Sequence, residues 1–216
     1  MQKIFYLHKE KEYKIETLFT AAGIFDRYIN IVGIDNFPRE NVIILSAISM
    51  LMAAKLEQPI SPSFSRMIAL LSKAEQEIVT KSSLKEMEKD IIDKLGFDFN
   101  FPGPVQTMER FLRLLEYDQN PTVFEFAYEL CKFQLNDAKF LDYRPSQIAA
   151  CACILAININ EDSEENESGL LQESYENPGK WFLNIDIWNQ EIIQTTNYQK
   201  ENFLDCLIDL CNFLKA

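Results

Sequence analysis

The stretch Asn41-Val-Ile-Ile-Leu-Ser-Ala-Ile-Ser-Met-Leu-Met-Ala-Ala-Lys55-Leu-Glu-Gln58 decides the fold. It is apolar on nearly every face for about four helical turns, then ends abruptly in Lys55, Glu57 and Gln58. A helix that is hydrophobic all round belongs at the centre of a bundle, not on its surface. Ser46, Ala47, Ser49, Ala53 and Ala54 are small enough to let other helices approach closely. The charged end has to reach solvent, and the place where it does so is a candidate functional edge.

On the N-terminal side, residues 2–12 read as a short helix with Ile4, Phe5 and Leu7 as its apolar contribution. Glu16 or Thr17 opens a second helix running to about Ile31, with Leu18, Ala21, Ala22, Phe25, Tyr28 and Ile29 recurring at intervals of three and four. Gly33 and Pro38 punctuate the loop before the central helix, and Pro59 and Pro62 bracket a turn after it. Ser63 to about Leu71 reads as a short helix. Ser82 or Ser83 is expected to cap the next one, with Glu86 three residues beyond Ser83 in a capping-box arrangement. That helix carries Leu84, Met87, Ile91, Ile92 and Leu95, and Gly96 ends it.

Phe97-Asp-Phe-Asn-Phe-Pro-Gly-Pro104 is an extended connector, because Pro102 and Pro104 forbid continuation of the helix. It divides the chain into residues 1–101 and 102–216. Five further helical patterns follow, at about 105–117, 121–136, 145–158, 185–194 and 199–214. The second half repeats the first in outline. Ser46-Ala-Ile-Ser-Met-Leu51 has its counterpart in Ala149-Ala-Cys-Ala-Cys-Ile154, and each helix is third among five. The expected architecture is therefore all-α, with two similar bundles, each wrapped round its own central helix. Asn160-Glu-Asp-Ser-Glu-Glu-Asn-Glu-Ser-Gly169 is expected to be a solvated acidic tip of a loop insertion at about 160–183. Leu170, Leu171, Tyr175, Trp181 and Phe182 would pack that loop's return on the second bundle.

Composition narrows the function. Six glycines and eight prolines in 216 residues are too few for a turn-rich β fold, and 47% hydrophobic residues supply a sizeable core. A formal charge of −12 disfavours nucleic acid and anionic membranes, and a basic partner surface is its natural complement. The opening Met1-Gln-Lys-Ile-Phe-Tyr-Leu-His-Lys-Glu10 has no signal-peptide core, and no apolar run reaches membrane-spanning length. Together with reduced thiols, this points to an intracellular location, nucleus or cytoplasm.

Chemistry is absent where it was sought. His8 is the one histidine, and no phosphate-binding glycine motif occurs. Cys131, Cys151, Cys153, Cys206 and Cys211 all lie in apolar helical patterns. Cys151 and Cys153 diverge on their helix, so core packing is expected rather than a metal site. No catalytic residue, cofactor or metal is expected, and the chain reads as a binding protein.

Several of these segments carry a resemblance. Met50-Leu-Met-Ala-Ala-Lys-Leu-Glu-Gln58 resembles the signature of the cyclins, whose box has a helix ending in a Leu-Ala-Ser-Lys-Phe-Glu-Glu-like run. Glu16-Thr-Leu-Phe-Thr-Ala-Ala-Gly-Ile-Phe-Asp-Arg-Tyr-Ile29 is similar to the family's second helix, including its Asp-Arg pair. Met87-Glu88 and Leu95-Gly-Phe-Asp-Phe-Asn-Phe-Pro102 resemble the fifth helix and the following linker. Phe140-Leu-Asp-Tyr-Arg-Pro-Ser-Gln-Ile-Ala-Ala150 resembles the lead-in to the central helix of the C-terminal cyclin fold.

The resemblance implies two tandem five-helix cyclin folds and a regulatory subunit, not an enzyme. It implies a heterodimer with a cyclin-dependent protein kinase rather than a homo-oligomer. The cyclin would pack on the kinase C-helix, whose glutamate must pair with the lysine that holds ATP phosphates. Carried over by position, Lys55 and Glu88 match the pair that cyclins present to the kinase. Lys55 would reach backbone carbonyls beside the C-helix, while Glu88 would hold Lys55 and accept from backbone amides. Leu56, Phe97 and Phe99 match apolar positions that pack there. Read singly, Lys55 would only complement the helix dipole, and Glu88 would be one more solvated charge. The family register is what pairs them.

There are departures from the family pattern. Met1 falls within the family's Met-Arg-Ala-Ile-Leu-like motif, the motif's arginine is missing, and Phe5 takes the tryptophan position. Asp26 matches the aspartate that pairs with that arginine, so it needs another partner or is solvated. In the groove that the family uses for Arg-x-Leu substrates, Ile43 replaces a glutamine while Arg39 is kept. No Arg-x-x-Leu destruction box occurs. Lys200-Glu-Asn202 spells a degradation motif at the start of a predicted helix. A cyclin-fold scaffold subunit that activates nothing is the alternative reading. A cyclin-fold factor acting on DNA is disfavoured by the charge.

Overall fold

The structure is a computed structural model that describes residues 1–60, 62–99, 102–166 and 184–214. Among these residues, all regular structure is helical. They fall into two compact units, Met1–Gly103 and Pro104–Ala216.

The first unit is built on α3 (Val42–Glu57), in which every residue from Ile44 to Ala54 is buried. Such a run satisfies its backbone within the helix and buries apolar surface on every side, so it needs neighbours all round. It finds them in α1 (Gln2–Lys11), α2 (Ile15–Val32), α4 (Phe64–Ile68) and α6 (Lys81–Leu95). On α1 the buried residues are Ile4 and Leu7, with Phe5 half-buried. On α2 the buried face takes Thr17, Phe19 and Ile24 along with Leu18, Ala21, Ala22 and Tyr28. Phe25 and Ile29, expected inside, are half-buried.

Two local expectations need correction. The cap of α6 is Thr80, not Ser82 or Ser83. The Ser83 N–H donates to Thr80 Oγ1 at 3.1 Å and the Thr80 N–H to Ser83 Oγ at 2.9 Å, so Ser83 occupies the reciprocal third position of the box. Glu86 instead accepts from Ser82 Oγ at 2.9 Å. A further helix, α5 (Lys73–Ile78), stands where none was expected; its capping box joins Ser72 and Glu75.

The second unit repeats the plan round α9 (Pro145–Asn166), buried without a break from Ala149 to Asn158. It packs against α7 (Pro104–Leu114), α8 (Pro121–Phe133) and α11 (Leu204–Leu214). The acidic stretch does not leave the helix at Asn160, as expected: α9 continues to Asn166. Asn160 is buried, and Glu161 accepts a 2.6 Å hydrogen bond from the Tyr117 hydroxyl. Leu170, Leu171, Tyr175, Trp181 and Phe182 lie outside the described residues.

Asn184 is bonded to α9. Its N–H donates to Asn158 Oδ1 at 2.7 Å, and the buried Asn158 amide also donates to the Ile154 carbonyl at 2.7 Å. The expected helix at 185–194 resolves into a 3₁₀ turn, Ile185–Ile187, and α10 (Gln190–Thr196). Trp188 between them is fully buried, set edge-on to Phe111 and Phe203, and its indole N–H donates to the Tyr198 carbonyl at 2.8 Å.

Lys200-Glu-Asn202 is not the start of a helix but a 3₁₀ turn before α11. Lys200 pairs with Asp186 at 2.7 Å, and the Asn202 side chain accepts from the Gln199 N–H at 2.7 Å. The Asn202 carbonyl accepts from the Gln147 amide. The motif is thus tied into the fold at both ends.

Of the cysteines, Cys131, Cys151, Cys153 and Cys206 are buried and Cys211 is half-buried. Burial pushes the Cys131, Cys151 and Cys153 thiols up, and for Cys151 the adjacent Cys206 adds to the rise. They are inert core thiols.

Asp26 is half-buried rather than solvated. Burial pushes its carboxyl up to about 6, and the positive charge of the Met1 amino group offsets part of that rise. A carboxyl with a raised folded-state pKa destabilises the fold when ionised. That penalty is fully present above about pH 6 and vanishes below the ordinary carboxylate value. At pH 7.5 the variant Asp26→Asn should therefore be more stable than the parent chain by about 1–3 kcal/mol. The advantage should shrink steadily as the pH falls from 6 to 4, and urea denaturation of both proteins across that range measures it.

Candidate partner-binding site

The buried run of α3 ends at Ala54, and the next residue, Lys55, is the first to reach the surface. Its turn is fixed against α2. The Thr20 hydroxyl donates to Glu57 Oε1 at 2.9 Å, and the Gln58 amide donates to Thr17 Oγ1 at 2.6 Å. Lys55 and Leu56 therefore emerge from a braced helix end rather than a frayed one.

Lys55 Nζ lies 2.5 Å from Glu88 Oε1, with 34% of the lysine side chain and 20% of the glutamate side chain exposed. A second contact was not foreseen in the sequence: the ammonium sits 4.9 Å from the ring centroid of Phe64. Phe64 is the first residue of α4, whose cap Ser63 accepts from the Arg66 N–H at 3.3 Å. Three elements thus converge on one ammonium group. A lysine carries three N–H donors, and Glu88 engages one of them through a single carboxylate oxygen. What is left over is a set of oriented donors beside a carboxylate oxygen, suited to a partner's backbone carbonyls and amides.

Leu56 is 53% exposed beside the pair. Phe97 and Phe99 follow the C-terminus of α6, about 10 Å along its axis from Glu88 at 1.5 Å per residue. Phe97 is 74% exposed, while Phe99 is half-buried. The structure therefore joins Lys55 to Glu88 directly, puts Leu56 alongside, and sets the two phenylalanines at the far end of the same helix.

The Phe97 backbone is unusual. Gly96 (φ 61°) and Phe97 (φ 60°) are both left-handed. Glycine adopts that conformation freely, but a residue with a Cβ pays about 1–2 kcal/mol. The exposed ring recovers little of that through packing. What holds the turn is a set of bonds to its backbone: the Asp98 N–H to the Leu95 carbonyl at 3.0 Å, and a fork from Arg27 on α2. Arg27 Nη1 donates to the Asp98 carbonyl at 3.0 Å and Nη2 to Asp98 Oδ2 at 2.9 Å.

One turn back along α6, the Tyr28 hydroxyl and Lys94 both donate to Asp90. Burial works to raise the Asp90 carboxyl, but Lys94 and Tyr28 together hold it below its ordinary range. Burial and the bond to Asp90 push the Tyr28 phenol up. So α2 fastens both helices that carry the site.

Comparison with known protein families decides what this arrangement belongs to. The model of the cyclin N-terminal domain matches residues 1–100, and that of the cyclin C-terminal domain matches residues 99–216. This chain belongs to the cyclin family.

Among similar proteins, cyclin-B2-1 of Oryza sativa subsp. japonica is 30% identical over 150 residues, covering 69% of this chain and 34% of its own length. G2/mitotic-specific cyclin S13-7 of Glycine max is 24% identical over 208 residues, 96% of this chain and 68% of its own. Cyclin-A2 of Xenopus laevis is 24% identical over 204 residues, 93% of this chain and 41% of its own. The chain spans about a third of the length of the rice cyclin it matches.

A shallow depression of about 520 Å³ lies between the N-terminal turns of α1 and α3. Tyr6, Val42, Ile43 and Ser46 line it, and Lys3 at its rim is paired with Glu75 at 2.6 Å. Among the described residues no group of acidic, histidine or cysteine side chains could hold a metal ion. No described helix is long and apolar enough to cross a membrane.

A strained, exposed phenylalanine contributes nothing to stability that a smaller residue could not. Asparagine tolerates the left-handed region, so Phe97→Asn should raise the unfolding free energy by about 1 kcal/mol. A shift of the urea midpoint to higher concentration, at unchanged slope, is the expected reading.

Proposed function

We propose that this cyclin binds a cyclin-dependent serine/threonine protein kinase and switches it on by packing against the kinase C-helix. The observation that carries this reading is the Lys55–Glu88 pair, 2.5 Å apart at the surface end of a buried helix. Lys55 donates to backbone carbonyls beside the C-helix, and Glu88 steadies it while accepting from backbone amides. Such charge-assisted bonds strengthen as the kinase excludes water from them. Leu56, Phe97 and Phe99 supply the apolar surround, and the exposure of Leu56 and Phe97 leaves them ready for it.

Activation is a population shift. Turning a kinase from 1:99 to 99:1 active takes about 5.5 kcal/mol of preferential binding to the active form. An apolar interface built round a desolvated charge pair is of the right order. The names of the relatives, B-type, A-type and G2/mitotic-specific cyclins, support a role in cell-cycle control. The expected complex is a heterodimer, in the nucleus or cytoplasm, in which this chain is the regulatory subunit and the kinase carries the catalysis.

The test is affinity and phosphotransfer measured with the co-purified kinase for the parent chain, Lys55→Ala and Glu88→Ala. Truncating one partner of a buried charge pair removes about 2 kcal/mol or more, so each variant should bind at least about thirtyfold more weakly and lose activation in step. Full binding and activation by both variants would overturn the site. A kinase that binds the parent chain without becoming active would make this cyclin a scaffold instead.

A further inference from the structure

We infer that Arg27 is a positioning residue for partner binding, holding Phe97 in the exposed pose in which it meets the kinase; this rests on the kinase-binding reading above. The deciding observation is that Phe97 is presented in a conformation it does not favour by itself. Its φ is +60°, its ring is 74% exposed, and it directly follows a left-handed glycine. A phenylalanine released from external restraint moves to negative φ, which carries its side chain elsewhere. The restraint has to come from the neighbouring backbone, because the ring has little to pack on.

Arg27 supplies it from 71 positions away in the sequence. Its two terminal nitrogens grip both the main-chain carbonyl and the side-chain carboxylate of Asp98, at 3.0 and 2.9 Å. A planar guanidinium that makes two bonds to one residue fixes orientation as well as distance. The base of the fork is also firm. Tyr28, the next residue on α2, is buried and bonded to Asp90 of α6, and Lys94 lies over the Tyr28 ring, 5.7 Å from its centroid. The arm therefore reaches from a rigid helix to a strained turn. The local bonds of that turn are the Asp98 N–H to the Leu95 carbonyl, the Phe97 N–H to the Ile92 carbonyl at 3.4 Å and the Phe99 N–H to the Phe97 carbonyl at 3.1 Å; all three lie within the turn itself, and the Arg27 fork is what ties it to α2.

Arg27 and Asp98 are 37% and 62% exposed at the side chain, so as an ion pair they do little for global stability. Their effect is local and conformational. If the presented pose falls to about a tenth of the population without the fork, the apparent affinity falls about tenfold with it.

The experiment is a double-mutant cycle on kinase affinity with the full chain, using Arg27→Met, Phe97→Ala and the double variant. Arg27→Met should weaken binding about tenfold in the parent background and by less than about twofold when Phe97 is already alanine. Arg27→Lys, which keeps the charge without the fork, should fall between the parent chain and Arg27→Met. Hydrogen exchange on the free protein should quicken at the amides of Phe97, Asp98 and Phe99 in Arg27→Met, while amides within α3 stay unchanged. An equal loss from Arg27→Met in both Phe97 backgrounds would make Arg27 a direct contact or a general stabiliser, and would overturn the inference. Binding unaffected by Arg27→Met overturns it too, while sensitivity to Lys55→Ala in the same assay leaves the kinase site standing. If Lys55→Ala and Phe97→Ala are both without effect, the kinase site itself has failed.

Discussion

The first unit depends on one constraint: a helix with no polar face has to be enclosed, yet it must end in charge. From Ile44 to Ala54 the α3 helix offers nothing to water, so four helices pack around it. Enclosure stops at Lys55 because an ammonium cannot follow the run inside without losing its hydration. The site forms where these demands meet. Glu88 from α6 and the ring of Phe64 from α4 meet the ammonium where it emerges, and α2 ties down the turn through Thr17 and Thr20. A surface lysine on a loop would carry the same charge but would lose side-chain entropy on binding. Here much of that loss has already been met in folding.

The same economy explains why α2 matters although it carries none of the proposed contact residues. It fastens α3 at Thr17 and Thr20, α6 at Tyr28, and the turn after α6 at Arg27. A site divided between two helices and a turn is only as exact as their relative placement, and one helix bonded to all three sets it.

Some of this was legible in the sequence and some was not, for physical reasons. The central helices show because all-round apolarity is a local property: Val42–Ala54 and Ala149–Ile157 announce themselves without any knowledge of their neighbours. Lys55 and Glu88 become a pair only through family register, since nothing in the sequence between two residues 33 positions apart says that the side chains meet. Capping was misread where two acceptable boxes overlap. Ser83–Glu86 has the usual Ser-x-x-Glu pattern, but the helix opens one turn earlier, where Ser83 takes the reciprocal place of a glutamate opposite Thr80. The short α5 was missed because it has no apolar stripe, although its Ser72-to-Glu75 box was there to read. Charge alone reads the acidic run after Asn160 as a solvated tip. Glutamate is also a good helix former, and the Tyr117 hydroxyl gives Glu161 a reason to stay.

Phe64 and Arg27 were invisible for a different reason. Each acts on a group reached only after the chain has turned back: Phe64 through the Pro59–Pro62 turn, Arg27 across 71 residues. Phe64 belongs to no motif, the Asp26-Arg27 pair says nothing of a contact with Asp98, and each residue has an ordinary alternative as a surface residue. The left-handed Phe97 likewise has no signature, because a phenylalanine after a helix-ending glycine is expected to turn away rather than continue left-handed. Strain of this kind persists only when its surroundings over-determine it. In this chain the surroundings are a fork from a rigid helix and a closed helix end, and the ring they leave exposed is one a stability-driven sequence would not place there. That mismatch between what favours the fold and what the chain presents is the strongest physical reason to read the end of α6 as a contact surface.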